Sequence, residues 1–488
     1  MSLNSTIRGV PPIAGGAWLR LLSRALLAVV AFGALAGAIA RQPSWRLLDF
    51  DQSFYTTIAY DLDRYGIFSN GIFAKIDSTQ QPPPPGMFFV PGYPLLVLAA
   101  MKVDPRFAAA VGCSIEANNA HREESACDSY ATPMRIVHAL LLALGVLAVA
   151  VAAEIIAGNR VAFWLAGTLA TASLAAEAEI FSYVMTEALT FSLYSAFALA
   201  LVLAWTRQRL RHFILSGVLL GAVCLTRLSF MVLFPVVASL ILLNARLVSA
   251  RPKSIAAHLV AFMAAFAIVV GGWALRNAVS VGKLGLSEEY GSAVLIERFA
   301  YNSMTPWEFA LAFPYCTPGI GDLAFDQVYG RDSMHRFVFH TTDSFFHAGR
   351  VRRDTLVKER GRLDPLIGGI IREEMGANWW RHLLVSVSLA WCGMWVGWLW
   401  ALLTIPLFAY ACAPPSPAFR DKRGRGQPLL LLYAAPAVAM LGLHAAIANH
   451  YTRYNLILIG PLAAGAASVM SAWLAGGRWR SQALAPES

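Results

Sequence analysis

Residues 18–40 read WLRLLSRALLAVVAFGALAGAIA, and residues 49–55 just beyond them read DFDQSFY. The first stretch is apolar over the length that crosses a bilayer, about 20 residues. The second places Asp49 and Asp51 at its mouth. Carboxylates beside a bilayer are costly and usually functional. About thirty-five residues later comes VPGYPLL, residues 90–96, a second apolar but Pro-interrupted stretch.

Working outward, the same apolar pattern recurs. The chain of 488 residues is 57% hydrophobic and 14% charged, with mean hydropathy +0.55, whereas a soluble protein is nearer a quarter charged. The runs are continuous rather than alternating, which excludes a membrane β-barrel. The sequence predicts an all-α polytopic membrane protein of about ten spans. These lie near 18–40, 134–157, 161–178, 182–204, 212–227, 229–247, 255–275, 388–411, 428–448 and 455–475. The division expected is a membrane module 1–276, a loop or small cap 277–382 and a C-terminal group of spans 383–488. The first 40 residues read as an uncleaved signal anchor.

Orientation follows from the basic residues of short loops. One set holds Arg8, Arg20, Arg24, Arg160, Arg207, Arg209, Arg211, Arg246, Arg251, Lys253, Arg420, Lys422, Arg423, Arg425, Arg478 and Arg480; the opposite loops offer Arg227, Arg276 and Arg453. Both termini are therefore expected in the cytoplasm, with 41–133 and 277–382 outside. The net charge of +10 is largely this bias. Basic residues spread over separate loops, rather than gathered in a stripe, exclude nucleic acid as a partner.

In the first outer segment, Phe54, Tyr55, Ile58, Leu62 and Tyr65 recur at helical spacing, and their face is expected on the membrane surface. Residues 87–101, with Pro91 and Pro94, are expected to form an interfacial helix, and Pro82–Pro85 an extended spacer. Cys113 and Cys127 are as open to a disulfide as to free thiols. Cys316 would be left over, and Cys224, Cys392 and Cys412 fall in spans as apolar packing. His335, His340 and His347 match no common metal spacing. Trp379, Trp380 and Arg381 read as an interfacial belt.

Four groups of residues carry the candidate chemistry. Asp51 and Asp49 are the carboxylates at the first mouth, with helix capping as their alternative. Glu177 and Glu179 form an ExE pair that would suit a divalent cation, or an ordinary solvated turn. Glu187 sits in an apolar context, costly without a partner. Arg227, Arg276 and Arg453 oppose the positive-inside bias at three helix mouths; singly each is a snorkelling anchor, together they make an anion site, since the guanidinium fork suits phosphate. Tyr454, Tyr451 and His450 surround Arg453. No GxSxG, HExxH, Walker A or dinucleotide fingerprint stands in a suitable context.

In order along the chain, Phe50-Asp51-Gln52-Ser53-Phe54-Tyr55, Pro91-Gly92-Tyr93-Pro94-Leu95-Leu96, Met185-Thr186-Glu187-Ala188-Leu189, Thr226-Arg227, Trp273-Ala274-Leu275-Arg276-Asn277 and Arg453-Tyr454 resemble the short motifs of the GT-C superfamily of polyprenyl-phosphate-sugar glycosyltransferases. The branch they resemble is the bacterial protein mannosyltransferase-like and aminoarabinose transferase-like one. The chain departs from it at Gln52, where many relatives carry Glu, which leaves an acidic pair and any metal held by it without support.

The resemblance implies a GT-C-like fold and an inverting glycosyltransferase of the bacterial inner membrane. It would move a sugar from a polyprenyl-phosphate donor to an envelope glycan, lipid or protein acceptor at the periplasmic face. Asp51 would be the base, with Asp49 beside it. Arg227, Arg276, Arg453, Tyr454, Glu187, Tyr55 and Tyr93 would bind substrate. A divalent cation at Glu177 and Glu179 is a further option. The rival readings are a transporter or flippase for lipid-linked saccharide, which would keep polar residues near the midplane on broken helices and inverted repeats, and an envelope acyltransferase or ligase resting on His450.

Overall fold

The structure is a computed structural model that describes residues 15–71, 82–120, 127–247, 252–339, 341–376, 378–413 and 426–483. His340, Arg8, Arg251, Arg420, Lys422, Arg423 and Arg425 lie outside the described residues, as do the side chains of Arg246, Lys253, Arg478 and Arg480. Every regular element among the described residues is a helix. After α1 (Gly15–Ala40), the first polar segment forms α2 (Gln52–Tyr65), α3 (Gly92–Val103) and α4 (Pro105–Asn119). Then come α5 (Thr132–Ala157), α6 (Arg160–Ala176), the single turn α7 (Ala178–Ser182), α8 (Glu187–Arg207), α9 (Leu210–Cys224), α10 (Leu233–Leu247) and α11 (Pro252–Ser280). The second polar segment holds α12 (Tyr290–Phe299), α13 (Pro306–Cys316), α14 (Ile320–Leu323), α15 (Phe325–Tyr329), α16 (Phe345–Arg360) and α17 (Ile367–Met375). Four apolar helices follow: α18 (Trp379–Met394), α19 (Leu399–Cys412), α20 (Gly426–Ile447) and α21 (Ile459–Ala483).

A chain this apolar must satisfy its backbone within each spanning segment, so helices are the only open solution. Among the described residues, six helices are long and apolar enough to cross a membrane, or seven if one bent pair counts as a span. The protein is thus an all-α, multi-pass membrane protein. The expected third, fifth and sixth spans fall on shorter apolar helices of 10–17 residues, which at 1.5 Å per residue fall short of a hydrocarbon core of about 30 Å. Between helices, packing depends on small residues that let backbones approach. A Cβ at Gly217 would lie 2.3 Å from the Phe262 carbonyl oxygen, and one at Gly221 would lie 2.8 Å from Val269. This Gly-x-x-x-Gly stripe seats α9 on α11.

Three expectations are corrected. The eighth span, 388–411, is broken: α18 and α19 meet at 114°. The break frees the Gly397 N–H, which donates to Glu177 Oε1 at 2.9 Å. Second, the apolar face of α2 is not laid on the membrane surface. Ile58 is fully buried against Phe68, Phe88, Phe89 and Trp273, because a neighbouring protein surface of aromatics outcompetes lipid for that face. Third, Cys316 is not left over and Cys392 is not inert packing; they form a disulfide between α13 and α18. Cys113 and Cys127 are also joined.

Candidate functional site

The site is built from four chain breaks at one end of the bundle. The first is the turn between α1 and α2. Phe50 takes a left-handed φ of 53°, which turns Asp51 into place just ahead of α2. Asp51 occupies the capping position but makes no capping hydrogen bond. Its carboxylate points away and accepts from Arg453 Nη2 at 2.8 Å. Asp49 instead stays in its own turn, where Oδ2 accepts from the Arg46 N–H.

The second break is the 183–186 turn before α8, held by a residue whose function sequence reading missed. Gln52 is 1% exposed. Its amide nitrogen donates to the carbonyls of Arg46 and Asp49, and its Oε1 accepts from the Val184 N–H at 2.7 Å. One side chain that both donates and accepts thus locks the Asp51 turn to the Glu187 turn. A Glu here would lose the donor and add charge beside Asp49 and Asp51. Gln52→Glu is expected to destabilise the protein by about 2–3 kcal/mol, read as a lowered melting temperature in detergent; an unchanged melting curve would contradict the account.

The third break follows α9. The Gly92 N–H donates to the Leu225 carbonyl at 2.7 Å, and a Cβ on Gly92 would lie 2.7 Å from that same oxygen. The close approach requires glycine and docks α3 beside Thr226 and Arg227. The fourth is the 3-10 segment Thr452–Leu458, which carries Arg453 and Tyr454. His444 on α20 ties the last two together: Nδ1 meets Asn455 Oδ1 at 3.0 Å and Nε2 meets Ser229 Oγ at 3.3 Å.

These breaks bring Asp51, Tyr55, Glu187 and Arg227 around one pocket, which Tyr290 and Ser287 close from the second polar segment. Glu187 is buried, with Oε1 3.7 Å from Arg227 and 4.0 Å from Arg453. Its Oε2 has no hydrogen-bond partner among the described residues. Tyr454 lies under both guanidinium groups, 4.5 Å from Arg227 and 5.2 Å from Arg453. Burial pushes the Tyr55 hydroxyl well above its ordinary value, with the Asp51 charge adding to it. Tyr290 is pushed up for the same first reason. The accessible space is about 30 Å³, room for a single water.

Other expected site residues lie elsewhere. Tyr93 is fully buried, bonded to His138 Nε2 at 2.9 Å and set edge-on to Tyr55; it supports the pocket wall. Arg276 does not face the pocket. It donates to the carbonyls of Gly86 and Phe68 at 2.6 and 2.9 Å and lies over the Phe68 and Trp273 rings. An arginine at a helix mouth that finds carbonyls is a clamp, here holding Phe68 and Gly86 to α11. Arg276→Gln is expected to cost about 2 kcal/mol of stability while the folded protein binds anions as before; a selective loss of anion binding at unchanged stability would reverse that assignment. Glu177 is engaged by Gly397, and Glu179 accepts from the Tyr183 hydroxyl at 3.4 Å. Neither belongs to a group of three metal-capable side chains among the described residues. His450 is half-buried against Phe337, Phe339 and Tyr301, and desolvation there lowers its pKa to about 4. It lies outside the pocket lining.

The acidic group Glu288, Glu289 and Asp364 is already satisfied by the chain. Glu289 accepts from the Leu363 N–H, Asp364 accepts from the Glu289 N–H and the Ser292 hydroxyl, and Glu288 pairs with Lys283. It latches α12 to the 361–366 turn.

No protein-family model and no curated sequence matches the chain. Among solved structures it is similar to the archaeal oligosaccharyltransferase AglB from Archaeoglobus fulgidus, determined in complex with an inhibitory peptide and a dolichol-phosphate. The two are 11% identical, with a TM-score of 0.47, over 96% of this chain and 53% of that one. The chain therefore spans about half the length of that protein. A likeness this distant decides neither family nor activity.

Proposed function

We propose that the protein is an inverting glycosyltransferase of the bacterial inner membrane. In this reading it takes a sugar from a polyprenyl-phosphate donor and passes it to an envelope acceptor at the outer face, with Asp51 as general base. The observation that carries the reading is the convergence of Asp51, Glu187, Arg227 and Arg453 at one mouth of an apolar bundle. Two arginines stacked on Tyr454 present forks to an anion. A carboxylate with access to the pocket supplies a proton acceptor. The surrounding helices supply the apolar wall that a polyprenyl tail requires.

Asp51 and Arg453 hold each other in the resting state, and the donor phosphate competes for that guanidinium. Phosphate binding draws Arg453 away and frees the Asp51 carboxylate. The freed oxygen takes the proton from an acceptor hydroxyl. The acceptor oxygen attacks the anomeric carbon, and the bond from that carbon to the phosphate oxygen breaks. The phosphate keeps the electron pair, and Arg227 and Arg453 stabilise its growing charge. A single displacement inverts the anomeric centre. Glu187 Oε2, buried and unbonded, is the natural acceptor for a sugar hydroxyl, since a buried polar atom without a partner calls for one. The pocket, whose aromatic wall is Phe88, Phe89 and Tyr290, must widen to admit the sugar.

The α18–α19 break is a feature that a transporter would share. It does not line this pocket, and the pocket's charges sit at helix ends rather than midplane. Mixing the reconstituted protein with polyprenyl-phosphate sugar and following release of polyprenyl phosphate tests the reading; movement of intact lipid-linked sugar across the bilayer without release would favour the transporter.

A further inference from the structure

A second cavity lies at the opposite end of α8. That helix begins at Glu187 in the first pocket and ends at Arg207 in the second, and 21 residues at 1.5 Å each put the two about 30 Å apart. The second cavity holds about 740 Å³ between α1, α5, α6 and α8, within the range of small-molecule sites. Its mouth carries Arg20, Arg24, Arg160 and Arg207 against the single carboxylate of Glu154. Glu154 lies 3.8 Å from Arg24. Among the described residues, the other three arginines have no acidic partner. Its inner wall is apolar, with Leu144, Leu147, Val151, Leu199 and Leu203. From Leu144 the apolar surface continues along α5 through the exposed Leu140 and Ile136, each four residues on.

We propose that this cleft is a binding site for one anionic glycerophospholipid of the leaflet opposite the Asp51 pocket. Its phosphate would sit among the four arginines, with an acyl chain along the Leu144–Leu140 face. Charge and shape select this occupant together. Four guanidinium groups against one carboxylate call for an anion. A continuous apolar track from the mouth into the bilayer calls for a chain attached to it. A soluble phosphate has no use for that track, and a zwitterionic lipid would set its ammonium among arginines. The site shares no residue with the first pocket, so it stands independently of the proposed activity.

The test is native mass spectrometry of the detergent-purified full chain, titrated with phosphatidylglycerol, phosphatidylcholine or polyprenyl phosphate. One phosphatidylglycerol is expected to be retained at least tenfold more tightly than phosphatidylcholine. An Arg20→Gln/Arg207→Gln variant is expected to lose roughly thirtyfold of that affinity, from about five- to sixfold per charge. Arg20→Lys/Arg207→Lys keeps the charge and should retain most of the binding, which separates a lost contact from a lost fold. Arg211→Gln, at the same end of the bundle but outside the cleft, should bind as wild type. Equal retention of the two phospholipids, or Gln variants that bind as wild type, would overturn the proposal. So would displacement of phosphatidylglycerol by polyprenyl phosphate at lower concentration, which would give the cleft to the other lipid.

Discussion

Asp51→Asn is expected to lower glycosyl transfer by about a hundredfold or more, the usual contribution of a positioned base. The substitution keeps the shape of the side chain and removes its capacity to take a proton. It also removes the charge that holds Arg453 at 2.8 Å. If the donor phosphate competes with Asp51 for that guanidinium, Asp51→Asn should bind polyprenyl-phosphate sugar as well as the wild type or more tightly. Loss of turnover with affinity kept or raised is a combination that simple unfolding does not produce. Asp49→Asn should do much less, since its carboxylate serves the Arg46 backbone. Near-normal turnover in Asp51→Asn would remove the base assignment.

The second large effect is expected at Arg453. Arg453→Gln deletes the cation nearest Asp51, leaves the buried Glu187 with Arg227 alone, and removes one fork from the proposed phosphate site. Donor affinity should fall about ten- to a hundredfold, the worth of a charge-assisted hydrogen bond. Arg453→Lys should recover part of it, since an ammonium restores charge but not the planar fork. Equilibrium binding of polyprenyl phosphate to purified variants measures both. Unchanged binding in Arg453→Gln, with Arg227→Gln equally silent, would leave the pocket without its anion role.

Much of this was legible in the sequence because charge at a membrane mouth is rare enough to be informative. Asp51, Glu187, Arg227 and Arg453 stand out against apolar runs and the positive-inside bias, and the fold brings all four to one place. Arg276 stood out by the same criterion, yet it clamps two carbonyls. A guanidinium binds phosphate and carbonyl oxygen alike, and sequence does not say which is near. Gln52 read as a missing acid, whereas its use lies in being both donor and acceptor to backbone groups up to 132 positions away. Tyr290 left no signal, because it reaches the pocket from a segment whose own pattern indicates only a cap. The α18–α19 break was hidden inside one continuous apolar run, with Gly397 as its one local mark. Cys316 and Cys392, 76 residues apart, could not be paired while Cys392 was assigned to an unbroken span.

The central claim is that the Asp51 pocket transfers a sugar away from a polyprenyl phosphate. Single-turnover release of polyprenyl phosphate measures this directly, with protein in excess over labelled polyprenyl-phosphate sugar and an envelope extract as acceptor source. The account predicts release by the wild type, with the label moving into acceptor. It predicts about a hundredfold slower release by Asp51→Asn, at equal donor occupancy. Release at the same rate in both proteins, or a wild type that binds the donor and leaves it intact in the presence of every acceptor fraction, would contradict it.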